Sequence, residues 1–295
     1  MKNIIFVVGF ILIAGSAYCG GSGEMILVND QEILLDNIAA INISYTSDDI
    51  ILLKSSTDTL FIKEYMNKNN SDYYANINSF ENKLSINGGN RPNFSGGIRT
   101  IFSHEINNLR TRIEIYIPVP LIQEISIKIT SGRIVANNDF RCNHIALQAK
   151  SGSIRLGIIE GDLSIETTSG SIVGEMINGN ISAKTTSGRI RFNEITGRID
   201  AETTSGGINC SVNEMVGNIS LRATSGSVKL MIPRNSSFNF FARTSSGRLS
   251  TSFSDKLFIP VAERSVTQGT IGEGSPDINV NIITSSGSID IKWKN

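Results

Sequence analysis

Glycine returns every nine residues through the middle of this chain: Gly152, Gly161, Gly170, Gly179, Gly188, Gly197 and Gly206 form an unbroken series. Each is followed by one variable residue and then an aliphatic one, as in Gly188-Arg189-Ile190 and Gly197-Arg198-Ile199. Alternate glycines belong to a Ser-Gly tetrad. The tetrads begin at Ser131, Ser151, Ser169, Ser187, Ser205, Ser225, Ser246 and Ser286, with successive spacings of 20, 18, 18, 18, 20, 21 and 40. A period near 20 marks a solenoid. The spacing of 40 reads as two turns, or as one turn with a long insertion.

Between glycines the pattern alternates. In "GNISAKTTS", Ile181, Ala183 and Thr185 share one face, and Ser182, Lys184 and Thr186 the other. A period of two means strands. Each half-turn is therefore a strand of about six residues, and glycine serves the corner, where the backbone adopts conformations costly to other residues. Stacked turns give parallel strands about 4.8 Å apart. The inward column after the Ser-Gly corner reads Ile134, Ile154, Ile172, Ile190, Ile208, Val228, Leu249 and Ile289 in chain order. Burying each aliphatic contributes about 1.5–3 kcal/mol. Ordering the backbone costs about 1–2 kcal/mol per residue, so no turn stands alone and neighbours share their buried faces. Three residues before each serine lie Gln148, Glu166, Lys184, Glu202 and Arg222, outward positions whose charges alternate if turns stack in register. The same phase sets Cys142 and Cys210 on different half-turns, too far apart for a disulfide; two separate thiols are expected, with Cys210 in the core.

The expected fold is all-β: a parallel β-solenoid of about 18–20 residues per turn over residues 129–295, with an N-terminal β-region over 24–128 that caps the first turn. The N-terminal strands are read in "EILLDNIAAINISY", "DIILLK", "TLFIKEY", "KLSING" and "TRIEIYIPVP". An uncovered end would expose a strand edge and an open core. Pro118 and Pro120 mark the passage into the repeats, residues 255–276 form a loop excursion, and Trp293 closes the far end of the core.

Residues 1–19 read as an export signal: Lys2, an apolar run from Ile4 to Ala14, then Gly15-Ser16-Ala17. The run is too short to span a bilayer. Two processing routes fit it, cleavage after Ala17 or lipidation of Cys19 with "GGSG" as a tether. No later segment is apolar enough to cross a membrane as a helix. Lys+Arg and Asp+Glu balance at 27 each, which leaves no basic excess for nucleic acid.

The strand-rich N-terminal part, the "IPVP" step, the repeated "TTSGxI" and "GxI" half-turns and the closing "SSGSIDI" together resemble the bacterial DUF4097 family of adhesin-like proteins, itself similar to head domains of auto-transporter-like adhesins. The resemblance covers roughly residues 38–293. It implies a β-solenoid exported to the cell envelope and carries over no catalytic residue.

Chemistry-bearing patterns are sparse. His104 and His144 have no metal-ligand spacing. Cys142 and His144, two apart on a strand-like stretch, fall on one face as a thiol–imidazole pair without a third group. Calcium rolls need an aspartate column that "GNISAKTTS" and "GRIDAETTS" lack. Carboxylates separated by cations along the stack disfavour a carbohydrate-cleaving enzyme. The outward row Thr168, Thr186, Thr204 and Thr224 is flanked by charges, which spoils an ice-binding plane. No catalytic residue, cofactor or metal site is expected. The assigned positions are the corner glycines Gly152, Gly161, Gly170, Gly179, Gly188, Gly197, Gly206 and Gly226, and a basic face of Arg133, Arg155, Arg189, Arg191, Lys229 and Arg248. The expected function is a non-enzymatic envelope protein: an adhesin or surface scaffold that meets an envelope polymer, a host or matrix surface, or a partner protein. The alternative is an envelope-stress or assembly module that binds peptides or partner proteins. The expected location is the periplasm, outer membrane or cell surface.

Overall fold

The computed structural model describes residues 7–8, 24–92, 109–118, 121–137, 139–253, 265–272 and 276–294. The export signal other than 7–8, Cys19, His104 and all of 255–264 lie outside the described residues. The chain divides into two compact units, Met1–Cys142 and Asn143–Asn295. Both are built from strands; the one helical segment among the described residues is a single 3-10 turn at Ser71–Tyr73.

The first unit holds β1 (Val7–Val8), β2 (Ile26–Leu34), β3 (Ala40–Ser47), β4 (Asp49–Lys54), β5 (Thr59–Met66), β6 (Asn76–Phe80), β7 (Lys83–Asn87), β8 (Thr111–Ile117) and β9 (Glu124–Ala136). β2 is antiparallel to β5 and β5 to β8, while β8, β4 and the far half of β9 pair in parallel. β6 is antiparallel to β7, and β7, β3 and the near half of β9 are parallel. β9 thus bends around Gly132, whose φ is +105° and where a Cβ would lie 2.2 Å from the Asp48 carbonyl oxygen. Only glycine takes that conformation and that approach at low cost. The passage from β3 to β4 follows the same course: Tyr45 lies opposite Ile129, Ser47 opposite Ser131 and Ile50 opposite Ile134. Rung geometry therefore begins about eighty residues before the repeat becomes readable, with Asp48 where later rungs carry glycine.

Inward positions of these strands are isoleucine and leucine, among them Ile41, Ile43, Ile50, Leu52, Ile113, Ile115 and Ile127, all fully buried. A charge cluster is buried with them. The Arg91 guanidinium donates to the carboxylates of both Asp48 and Glu64, its Nε donates to the Tyr73 carbonyl at 2.8 Å, and it lies 4.8 Å from the Tyr45 ring centroid. The second Glu64 oxygen accepts from Asn29 Nδ2 at 2.7 Å and from the Ala75 amide at 2.8 Å. Buried charges persist only when paired and hydrogen-bonded in this way.

β10 (Phe140–Thr167) leads into the second unit, with β11 (Ile172–Asn178), β12 (Ile181–Thr185), β13 (Ile190–Thr196), β14 (Ile199–Thr203), β15 (Ile208–Glu214), β16 (Ile219–Ala223), β17 (Val228–Ile232), β18 (Phe238–Thr244), β19 (Leu249–Thr251), β20 (Val266–Ile271), β21 (Asn279–Thr284) and β22 (Ile289–Trp293). Strands alternate between two parallel ladders. The first runs β10, β11, β13, β15, β17, β22, β19. The second runs β10, β12, β14, β16, β21, β18. Each turn gives one strand to each ladder, which is the solenoid-like arrangement expected.

The order of the last rungs differs from the chain order. β21 and β22 are inserted between the rung of β16–β17 and that of β18–β19, so Ile289 lies between Val228 and Leu249. The spacing of 40 is neither two added turns nor a turn with a simple loop. The chain goes past the vacant position, turns back and then fills it. The excursion at 255–276 carries a strand where a loop was expected: β20 pairs antiparallel along β18. Phe238, Phe240 and Phe253 meet edge-on at 5.5–6.5 Å, and Trp293 lies 5.1 Å from Phe253.

The core columns follow the register. Ile154, Ile172, Ile190, Ile208 and Val228 are stacked and buried. One column over, Gly174 makes room for Phe192, whose ring would meet a Cβ there at 2.7 Å. Buried threonines close three successive rungs: Thr167, Thr185 and Thr203 donate to the carbonyls of Gly152, Gly170 and Gly188 at 3.2–3.3 Å.

Candidate functional site

The corner glycines occupy two kinds of position. In the Ser-Gly tetrads the demand is proximity: a Cβ on Gly170, Gly188, Gly206 or Gly226 would lie 1.6–1.8 Å from the carbonyl oxygen of the tetrad glycine one rung before, starting from Gly152. None of these has a positive φ, so the conformational reason expected for them does not apply; a side chain simply has no room. At the intervening corners the expected reason holds, with Gly161 at φ +137° and Gly197 at +152°, and a Cβ on Gly179 would also lie 2.1 Å from the Gly161 carbonyl oxygen.

These corners set outward side chains in register. Along the first ladder, Arg155, Val173, Arg191, Asn209, Lys229 and Asp290 are successive neighbours. Arg189, Arg191, Gly207, Asn209, Ser227 and Lys229 line one open depression of about 280 Å³. Arg191 and Lys229 are two strands apart, about 10 Å, with the Asn209 amide between them. No carboxylate of the described residues lies within 4.0 Å of Arg189, Arg191 or Lys229. Asp290, beside Lys229 in register, is taken by Lys292 at 2.8 Å. Three cations with no carboxylate partner among the described residues thus surround neutral donors, a charge arrangement that suits an anionic group.

The structure does not bring the whole expected basic face together. Arg133 belongs to the first unit and is bound to Asp49, through its side chain at 2.6 Å and its backbone amide at 3.0 Å. That ion pair raises the guanidinium pKa further. Arg155 is separated from Arg191 by the Val173 strand, and Arg248 lies beyond the inserted Ser288 corner. Asn209 and Ser227, which complete the depression, were not singled out in the sequence, although they fill the repeat positions of Arg191 and Arg189.

The thiols are separate and buried. Burial pushes the Cys210 thiol up to about 12, so it stays protonated at neutral pH. Cys142 is buried but His144 is exposed, because the in–out alternation slips at Asn143–His144, so the two do not share a face as the spacing of two implied. Of the alternating charge column, Gln148 meets Glu166 and Lys184 meets Glu202, each at 3.4 Å, while Arg222 turns to Asp200 at 3.5 Å. Among the described residues no three His, Cys, Asp or Glu side chains could hold a metal ion, and no helix is long and apolar enough to cross a membrane.

Among known structures the chain is similar to a putative adhesin from Parabacteroides distasonis, at 12% identity and TM-score 0.56 over 92% of this chain and 98% of that one. It is also similar to a putative lipid binding protein from the same species, at 17% identity and TM-score 0.51 over 89% and 96% of the two chains. A putative adhesin from Bacteroides fragilis matches at 13% identity and TM-score 0.50 over 91% and 97%. These likenesses establish the fold. No curated protein matches the chain. The family model Toastrack DUF4097 matches residues 38–292, nearly the whole of the rung-forming sequence. The chain belongs to the DUF4097 family.

Proposed function

We propose that this chain is an exported, non-enzymatic surface protein that uses its stacked rungs as a rigid scaffold to hold an anionic component of the cell envelope or of a neighbouring surface. The observation that carries this reading is the unpaired cluster of Arg189, Arg191 and Lys229 around Asn209. A phosphate or carboxylate above Asn209 sits about 5 Å from each flanking cation. Charge attraction at such a partly shielded surface is strong at low salt and weak at high salt. Export is supported by Lys2 and the apolar run that follows. The surface role is supported by the adhesin-named neighbours, and the lipid-binding neighbour fits a head group as one source of the anion. In this reading the antiparallel strands β2, β5 and β6 cap the N-terminal end of the rungs.

Sedimentation of the protein with polyphosphate-bearing wall polymer, and separately with anionic vesicles, tests the reading. Binding that falls at least tenfold in an Arg189→Glu/Arg191→Glu/Lys229→Glu variant is expected; undiminished binding by that variant contradicts it.

A second reading, a module that takes up partner peptides, has one observation in its favour. β2 pairs with β5 on one side, and among the described residues its other edge is met only by β1, part of the segment expected to be removed. Ile26, Leu27 and Leu34 are about half exposed there, at 46–57%. Capture of an extended partner by the protein lacking residues 1–17, but not by the full chain, is its signature.

A further inference from the structure

The second ladder carries a trough of different chemistry. Its outward column is Ser164, Ser182, Asp200, Ser220, Asn281 and Phe241, each beside the next in register. At the adjoining corners stand Asp162, Asn180, Arg198, Asn218 and Asn279. Two open depressions lie on this face. One of about 430 Å³ is lined by Asp162, Ser164, Asn180, Ser182, Arg198 and Asp200 among others. The other, of about 260 Å³, is lined by Asn239, Phe241, Asn279 and Asn281. Asn218 and Ser220 occupy the rung between them.

The corner residues use one side-chain atom for structure. Asp162 Oδ1 accepts the Asn180 amide at 3.0 Å, Asn180 Oδ1 the Arg198 amide at 3.2 Å, and Asn218 Oδ1 the Asn279 amide at 2.8 Å. This leaves a second polar atom on each side chain. Two further groups are more demanding. Ser220 Oγ and Asn281 Oδ1 are neighbours in register, buried atoms on half-buried side chains, and without a hydrogen-bond partner among the described residues. A buried polar atom left unpaired is destabilising, and a ligand that supplies the missing bonds removes that penalty. The ring of Phe241, half-buried, stands next to Asn281 on the following strand.

We infer that this trough binds an uncharged glycan chain lying across the strands. Hydroxyl groups both donate and accept, so one ligand type satisfies Ser220 Oγ, Asn281 Oδ1 and the free amide atoms alike. The C–H face of a sugar ring suits the Phe241 ring. Asp162 and Asp200 are balanced by Arg198 and by Arg222, so the trough lacks the excess of cations that draws a polyanion to the first ladder, and the second ladder's strands from β12 to β18 are paired on both sides, which leaves no edge for a peptide strand. The rungs repeat every 4.8 Å or so, and a regular polymer meets the same columns again at each step. The site is independent of the basic depression and of the anionic partner proposed for it.

Cellohexaose, chitohexaose and a yeast mannan, titrated calorimetrically into the full chain, test the inference. At least one is expected to bind, with affinity reduced about tenfold or more by Phe241→Ala, a loss of about 1.4 kcal/mol. Ser182→Trp, at an exposed position in the wider depression, is expected to weaken binding of the same glycan without lowering the melting temperature. Arg191→Glu/Lys229→Glu is expected to leave it unchanged. Failure of all three glycans to bind at millimolar concentration overturns the inference. So does binding that survives both trough substitutions, or that is lost with the first-ladder charges.

Discussion

At the scale of single residues, each tetrad glycine is fixed by the rung before it. A methyl group on Gly188 would sit 1.8 Å from the Gly170 carbonyl oxygen, whereas one on Gly207 would sit 3.3 Å from that of Ser227. Overpacking of this kind costs about 1–3 kcal/mol or more. Gly188→Ala is therefore expected to lose about 3 kcal/mol in denaturant titration, and Gly207→Ala far less. The threonine beside the tetrad completes the contact where it is present; Ala149 takes its position before Gly152, and Ala223 stands where Thr203 and Thr284 bond the Gly188 and Gly226 carbonyls. Ala223→Thr is expected to supply the bond to Gly206 and gain about 1 kcal/mol; a lower melting temperature would show that the column cannot take the hydroxyl. Cys210 gives a pH test. Its thiol titrates at 9.0 when exposed and near 12 when folded. The folded state then holds one proton more than the unfolded chain in that window, so its contribution is complete below pH 9 and is lost as pH rises toward 12. Cys210→Ala is expected to flatten the alkaline fall of stability by one proton.

Among elements, the repeat made half the molecule legible. Glycine spacing and period-two alternation give β11 to β17 and their register, since a one-residue slip would turn every isoleucine outward. Parallel pairing sets Glu202 between Lys184 and Arg222. Glu202→Lys is expected to destabilise by about 1 kcal/mol more than Glu202→Gln, because like charges then face each other on three successive strands; equal melting temperatures would count against the register. The rung of β3 and β4 escaped notice because Asp48 replaces glycine, although Thr46-Ser47 and Ile50 keep the spacing of Thr130-Ser131 and Ile134. Asp48 is kept inside by Arg91, with Glu64 as the third member, and nothing local in sequence links residues so far apart. The proposed binding surfaces were partly visible. Arg189, Arg191 and Lys229 follow from phase alone, but pairing of Arg133 with Asp49 depends on the non-repeating strand β4.

For the molecule as a whole, topology was the least readable property. A spacing of 40 residues is compatible with steady stacking, yet β21 and β22 fill a position between older rungs. Strand exchange of this sort leaves no periodic trace, because Ser286-Gly287-Ser288-Ile289 fits any rung. Its consequence is that the terminal strands hold β18 and β19 to the stack, and β20 then lines the edge of β18. Distances between paired spin labels measure this order directly. Thr168, Ser245 and Ser285 are exposed and occupy equivalent corners. Ser285 is four rungs from Thr168 and Ser245 is five, about 19 and 24 Å. Labels at 168 and 285 are predicted to lie closer together than labels at 168 and 245, despite forty more residues of intervening chain; the reverse order, or two broad distributions without a resolved difference, would contradict the stacked and inserted rungs.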